Sequence, residues 1–275
     1  MKILAKNNYH LLRGPLSALP LNTLFALSVL NGDADGTVYV DDLDAPGTFY
    51  VVHPYGMSLL FGNTHQNEFN RCFRDHALNM PRVRDCHEWM QAFPQEWDTV
   101  LHDLLGDNLQ KVSDASPIGA NVVEIHTRVN FKFNPEKYIG FKRHFRPGMQ
   151  TVRRTDKQIF LQMTGAVVPM SFWRNADHFD SGGLGFSSFI DGKLASTAFT
   201  AYRDGDKLEI GIETIEEFKG KGAAQYACSA LIDYCLANGY EPIWSCRKEN
   251  AGSYLLAQKL GFEPTSERPY YRLCQ

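Results

Sequence analysis

Two lysines and two glycines alternate as Lys219-Gly220-Lys221-Gly222, directly ahead of a run of small and apolar residues. That run reads as a helix from about Gly222 to Asn238, closed by Gly239. The first backbone N–H groups of a helix have no partner inside it and sit at the positive end of its dipole. Glycines let a ligand approach that backbone, and lysines add charge. Such a start suits a phosphate or diphosphate. The same residues also fit a plain entry turn with two solvated lysines. The stretch is neither a nucleotide P-loop, which needs Gly-Lys-Ser/Thr, nor a full Gly-x-Gly-x-x-Gly fingerprint.

The element leading into this loop is a strand over 207–215. On it Leu208, Ile210 and Ile212 alternate with Glu209 and Glu213, so one face is apolar and the other carries carboxylates. Carboxylates beside a cleft are candidate general bases. The strand closes a three-stranded meander that begins near Gly183, with turns at Asp191-Gly192 and at Asp204-Gly205-Asp206. A strand "EPIWSCR", a helix over 250–260 closed by Gly261 and a Tyr-rich strand follow. Ala224, Ala227, Cys228, Leu231, Tyr234 and Cys235 share one face of the helix after the loop.

Upstream, "LFALSVLNGDADGTVYVDD" (24–42) reads as a hairpin across an Asp-Gly turn, and 48–63 as further short strands. Residues 65–80 and 87–106 read as helices, the second carrying Trp89, Met90, Phe93, Trp97, Val100, Leu101 and Leu104. Residues 121–134 return to strand. The basic segment 135–150, with Pro135 and Pro147 near its ends, is the best candidate for a domain boundary. The hairpin at 24–42 echoes that at 183–202, which suggests two related halves.

The 275 residues suit one large domain or two ordinary ones, and 44% hydrophobic content with 21% charge is that of a globular chain with a real core. A net charge of −3 gives no global basic field, so nucleic acid and membrane surfaces are not expected partners. No run approaches the roughly 18 apolar residues of a membrane helix. The N-terminus, interrupted by Arg13, Pro15 and Pro20, makes a poor signal peptide, and a cytoplasmic protein is expected. Six cysteines without Cys-x-x-Cys spacing read as reduced thiols. Cys72 with His76, and Cys86 with His87, fit no closed zinc pattern, so no metal is expected.

The segment from Glu209 to Tyr271 resembles the GNAT superfamily of N-acetyltransferases. The resemblance covers nearly all of 150–275. Its acyl-CoA signature, Arg/Gln-x-x-Gly-x-Gly/Ala, falls on Lys219-Gly220-Lys221-Gly222-Ala223-Ala224, with Lys in the first place. Its later Asn…Leu-Gly-Phe block falls on Asn250, Ser253, Leu260, Gly261 and Phe262. The segments "SFWRNADHF" and "GLGFSSFIDG" look closest to the zwittermicin-resistance-type branch, whose N-terminal half is a degenerate GNAT-like domain. The resemblance implies an α/β (α+β) fold, a mixed and mainly antiparallel sheet flanked by helices. It divides the chain into a degenerate domain, 1–145, and an acetyltransferase domain, 146–275.

It also implies roles. Acetyl-CoA is the expected cosubstrate, its pyrophosphate held by the amides of Lys219 to Ala224. Its pantetheine arm would pair with the strand edge at Ile212, Glu213 and Thr214, as in β-augmentation. Asn250, with Ser253, either caps a helix or also contacts that arm. Glu213, nearest the cofactor edge, is the first choice of base, with Glu209 behind it. Many relatives carry a tyrosine seven residues after the motif asparagine; here that place is Ala257. Tyr254 and Tyr271 are the remaining candidate acids, with Tyr270 beside them. Trp173, Asp177 and His178 lie on the helix expected to border the acceptor cleft. The resulting expectation is direct acetyl transfer to a primary amine of a small molecule, with the N-terminal domain helping to wall the acceptor cleft or to form a homodimer. A non-catalytic acyl-CoA-binding module and a protein N-acetyltransferase are the alternatives.

Overall fold

The computed structural model describes residues 1–80, 82, 84–112, 121–145 and 150–274. The chain forms two compact units. Unit 1 is Met1–Arg128, Arg247–Glu249 and the segment from Glu267 onward; unit 2 is Val129–Cys246 and Asn250–Ser266.

The chain opens with β1 (Lys2–Ile3), α1 (Arg13–Ser17), α2 (Leu24–Leu30), β2 (Thr37–Val40), β3 (Thr48–Val52) and β4 (Met57–Gly62). It continues with α3 (Asn67–Ala77), β5 (Glu88–Phe93), α4 (Glu96–Leu105), β6 (Leu109–Lys111), β7 (Val123–Phe133) and α5 (Pro135–His144). The later elements are β8 (Thr151–Arg154), α6 (Lys157–Gln162), α7 (Ala176–Gly182), β9 (Gly185–Ile190), β10 (Lys193–Asp204) and β11 (Lys207–Thr214). They end with α8 (Ala223–Ala237), β12 (Glu241–Arg247), α9 (Ala251–Lys259) and β13 (Phe262–Leu273). Apart from the short β6 and the helix α5 that follows β7, both stretches follow one plan: strand, two helices, three strands, helix, strand, helix, strand. The boundary expected between 145 and 146 adjoins residues 146–149, which lie outside the described residues.

Strand order in unit 1 is β1-β2-β3-β4-β5-β13-β7, with β6 alongside β7; in unit 2 it is β7-β12-β11-β10-β9-β8. Among the described residues most strand neighbours are antiparallel, as in β2–β3–β4 and β8–β9–β10–β11, while β4–β5, β6–β7 and β11–β12 are parallel. The fold is thus a mixed, mostly antiparallel sheet flanked by helices. In unit 1, Phe69, Phe73 and Ala77 of α3 and Trp97, Leu101 and Leu105 of α4 pack on Tyr50, Leu60, Met90 and Leu273. In unit 2, Ala227, Cys228, Leu231, Ile232 and Cys235 of α8 pack on Ala198, Leu208, Ile210, Trp244 and Cys246, joined by Tyr138, Ala257 and Phe262. All six cysteines are unpaired, and burial pushes the Cys235 thiol up to about 12. No helix among the described residues is long and apolar enough to cross a membrane.

Two expected elements are corrected. Residues 24–30 form a helix, not the first arm of a hairpin. Every residue of "LFALSVL" except Leu27 is buried. An apolar run that short and that buried carries no periodicity to separate helix from strand. The echo with 183–202 therefore paired the wrong segments, although the element plan itself repeats. Residues 88–93 form a strand, and only 96–105 of the expected helix 87–106 is helical. Pairing of β5 with β4 on one side and β13 on the other overrides local helix preference, and Pro94, without an N–H, separates strand from helix.

His53, wholly buried, holds the β3–β4 turn: its Nδ1 accepts the Tyr55 N–H at 3.0 Å and its backbone N–H donates to Met57 O at 2.8 Å. Burial drives its pKa from 6.5 down to about 3. Because the folded value lies below the unfolded one, the neutral ring's contribution is complete above pH 6.5 and fades as pH falls towards 3. One proton of difference corresponds to about 1.4 kcal/mol per pH unit. His53→Asn, whose amide oxygen can still accept from Tyr55, should flatten this acid limb by about that slope in urea titrations between these values.

Candidate active site

β11 and β12 run side by side only at their starts. Lys207 faces Glu241, Leu208 faces Pro242 and Glu209 faces Ile243, and there the parallel register ends. β11 continues to Thr214 and β12 to Arg247. Among the described residues, the β12-side edge of β11 from Ile210 to Thr214 therefore has no strand partner. On its other side β11 stays paired with β10 to Ser196↔Thr214, with a bulge at Ala201, between Thr200↔Ile210 and Tyr202↔Glu209. A bulge bends and twists its strand. Here it sits where β11 leaves β12.

The free edge leads into the glycine-rich loop. Gly220 and Gly222 take φ +75° and +80°, and a Cβ added at either would meet nothing within 4 Å. Those left-handed values suit glycine, and the surrounding space is open. Among the described residues no side chain caps the start of α8 at Gly222. Its first amides thus carry the orphan donors of a helix start. Lys219 and Lys221 are exposed beside them, Lys219 paired with Glu216 at 2.6 Å and Lys221 lying over the Phe218 ring at 5.3 Å. The hydrogen bond and charge of Glu216 raise the Lys219 pKa. Gln150 Nε2 donates to Lys221 O at 2.9 Å. The residues expected to hold a diphosphate are therefore together, on an open helix start.

Across the opening, Ser245 Oγ donates to Glu209 Oε1 at 2.6 Å, and this carboxylate is only 5% exposed. Trp244 Nε1 donates to Ser253 Oγ at 3.2 Å, and the Ser253 N–H donates to Asn250 Oδ1 at 3.2 Å. Asn250 is thus the cap of α9, and Ser253 ties that helix to β12. Ala257 is wholly buried in the unit 2 core. Tyr254, one turn earlier, packs edge-on against Phe131 with ring centroids 5.4 Å apart.

Glu213 is engaged otherwise. Its Oε2 accepts the Val167 N–H at 2.7 Å, and Gly165 lies so close that a Cβ there would meet the carboxyl carbon at 2.6 Å. The side chain clasps the loop between α6 and α7. Trp173 donates through Nε1 to Thr200 O at 2.7 Å, beside the Ala201 bulge, and its ring meets that of His178 edge-on at 5.1 Å. Asp177 is exposed and pairs with Lys157 at 2.6 Å. Tyr271 belongs to the unit 1 core, where its hydroxyl donates to Asp98 Oδ1 at 2.6 Å, and burial with that carboxylate holds its pKa well above 10. Unit 2 therefore gathers Glu209, Glu213, the Ile212–Thr214 edge, the Lys219–Ala224 loop, Asn250 and Ser253; Tyr271 lies in unit 1. Sequence reasoning missed Ser245, whose only mark is being the polar residue between Trp244 and Cys246, and the loop at Gly165–Val167. Among the described residues no three His, Cys, Asp or Glu side chains form a metal-binding group.

Comparison with known proteins shows the family and the fold. The chain belongs to the GNAT acetyltransferase family, whose model matches residues 18–271. It is 26% identical over 253 residues to the uncharacterised N-acetyltransferase YdfB of Bacillus subtilis (strain 168), covering 90% of this chain and 89% of the relative. Its fold is similar to that of a GCN5-related N-acetyltransferase-like protein from Streptococcus suis 89/1591, with TM-score 0.70 at 20% identity, over 97% of this chain and 99% of that one. A tandem GNAT protein from the clavulanic acid biosynthesis pathway matches with TM-score 0.59 at 12% identity, over 98% of this chain and 97% of that one.

The Glu213 clasp gives a direct test. A charge-assisted hydrogen bond contributes about 1.5–3 kcal/mol, so Glu213→Ala should speed amide exchange at Val167 by about tenfold or more. Glu213→Gln, which keeps an acceptor oxygen, should recover most of the protection. Equal exchange in all three proteins would show that the carboxylate does not hold the loop.

Proposed function

We propose that the chain is an acetyl-CoA-dependent N-acetyltransferase that passes the acetyl group directly to a primary amine of a small molecule. The reading is carried by the opening between β11 and β12, whose free edge runs into an uncapped, glycine-rich helix start. Acetyl-CoA supplies the acetyl group already activated as a thioester. The amides from Gly220 to Ala224, with Lys219 and Lys221, are suited to its diphosphate. The Ile210–Thr214 edge offers backbone donors and acceptors to its amide-bearing arm, as an added strand would. The open space at the Gly220 and Gly222 Cβ positions fits such a close approach.

For the proton, Glu209 is favoured over Glu213. Glu213 already accepts from Val167, whereas Glu209 faces the opening through Ser245. Ser245 Oγ can accept a proton from the amine while giving its own to Glu209, a relay of two hydrogen bonds. Glu213 positions the loop that borders the site. A thiol has a pKa near about 8.5, so a thiolate can leave without a dedicated acid. This is consistent with a buried alanine, Ala257, where many relatives carry tyrosine.

Unit 1 is read as the degenerate partner of the zwittermicin-resistance-type branch. Its β4 is paired in parallel with β5 from Met57↔Trp89 to Phe61↔Phe93, so the counterpart of the unit 2 opening is closed. The turn before α3 is Asn63-Thr64-His65-Gln66, without a glycine pair. A cytoplasmic location accords with six free thiols.

Calorimetry should give one acetyl-CoA per chain, and Gly222→Glu, placing bulk and like charge at the diphosphate, should weaken binding at least about tenfold. Two sites per chain, or unchanged affinity in the variant, would contradict the assignment. In a CoA-release assay over a panel of small amines, Glu209→Gln should slow turnover by about 10²-fold with binding kept. No release with any amine would instead favour a non-catalytic acyl-CoA-binding module, and a peptide acceptor alone a protein acetyltransferase.

A further inference from the structure

One face of the unit 1 sheet carries groups that acetyl transfer does not use. Alternation along β5 puts Trp89, Gln91 and Phe93 on one side. Arg272 stands opposite Trp89 in the β5–β13 register, and alternation along β13 puts Tyr270 and Arg268 on the same side as Arg272. The side chains follow this order: Arg272 lies 5.7 Å from the Trp89 ring and Arg268 5.8 Å from the Phe93 ring. Arg247 covers Trp89 at 4.3 Å. Gln91 thus lies between two rings that carry arginines, Trp89 with Arg247 and Arg272, and Phe93 with Arg268.

Gln91 is 3% exposed, yet neither end of its amide has a hydrogen-bond partner among the described residues. The Nε groups of Arg268 and Arg272 are likewise buried and unpartnered. Buried polar groups are normally satisfied, so three neighbouring N–H donors without acceptors need an explanation. The charge around them is positive: Arg247, Arg268 and Arg272 pack on these rings and Arg128 on that of Tyr270, which lies against Trp89, while the carboxylates among them are Glu124 and Glu249. Both glutamates are already engaged, Glu124 by Arg272 Nη1 at 2.9 Å and His126 Nε2 at 3.1 Å, Glu249 by the Thr127 N–H at 3.0 Å.

We infer that this face binds the carboxylate or phosphate group of a small molecule. Gln91 Nε2 and the Nε groups of Arg268 and Arg272 donate to its oxygens, and Gln91 Oε1 accepts from a hydroxyl or amine beside that group. Charge-assisted donors with planar guanidinium geometry suit an oxyanion better than chloride. The inference does not depend on the acetyl-transfer reading, since every residue in it belongs to unit 1.

The test is calorimetric titration of the full chain with sodium malonate and with inorganic phosphate, at fixed ionic strength against chloride. Saturable binding of at least one is expected, and which one binds identifies the group. Gln91→Leu, of similar size and apolar, and Arg268→Gln should each weaken it about tenfold or more while unfolding stays cooperative. Gly222→Glu should leave it intact. The inference is overturned if neither anion binds more tightly than chloride, if Gln91→Leu and Arg268→Gln both bind as the parent does, or if Gly222→Glu alone abolishes binding.

Discussion

Everything in unit 2 turns on one broken ladder. Parallel strands normally hold each other along their length, because unpaired backbone groups cost free energy once removed from water. β11 and β12 part after Glu209↔Ile243. Two neighbours make that parting possible. The bulge at Ala201 bends β10 beside the break, and Gly211 lets the Phe199 ring lie against the strand, where a Cβ would come within 2.5 Å of it. The apolar face of β11 stays fastened, since Leu208 and Ile210 are buried under α8. One edge of the strand is thus left open while the strand itself remains fixed, and an extended ligand can use that edge.

Unit 1 shows what the same plan does without the break. β4 and β5 stay paired over five positions, and a Tyr50–Glu88–His76 network with Arg84 fills the polar part of its core. Burial alone would raise the Glu88 pKa, but its hydrogen bonds and the Arg84 charge bring it below the usual range, so it is held as a carboxylate. Arg84 also ties the carbonyls of His76, Ala77 and Cys274 together. Among the described residues the β4–β5 ladder has no break like that between β11 and β12.

The part of this legible in the sequence was the part with strong local signals. Gly220 and Gly222 announced a glycine-rich helix start, Asp191-Gly192 a hairpin turn, and the Leu208–Glu213 alternation a strand with a carboxylate face. Asn250 was recognisable as a cap because its side chain acts locally. What could not be read was set by tertiary pairing. Leu24–Leu30 is buried at every residue but Leu27 and gives no period, and Glu88–Phe93 becomes a strand only because β4 and β13 flank it. The partner of Glu209 is Ser245, which lies 36 residues away in sequence. The clasp of Glu213 on Val167 spans 46, and nothing local marks it.

Hydrogen exchange read residue by residue with and without acetyl-CoA tests most directly whether the open β11 edge and the loop after it receive the cofactor. The amides of Ile210–Thr214 and Gly220–Ala224 should become protected together, at one acetyl-CoA per chain, while those of Met57–Gly62 in β4 stay unchanged. Protection at β4 or elsewhere in unit 1, with the β11 edge exchanging as before, would contradict the account.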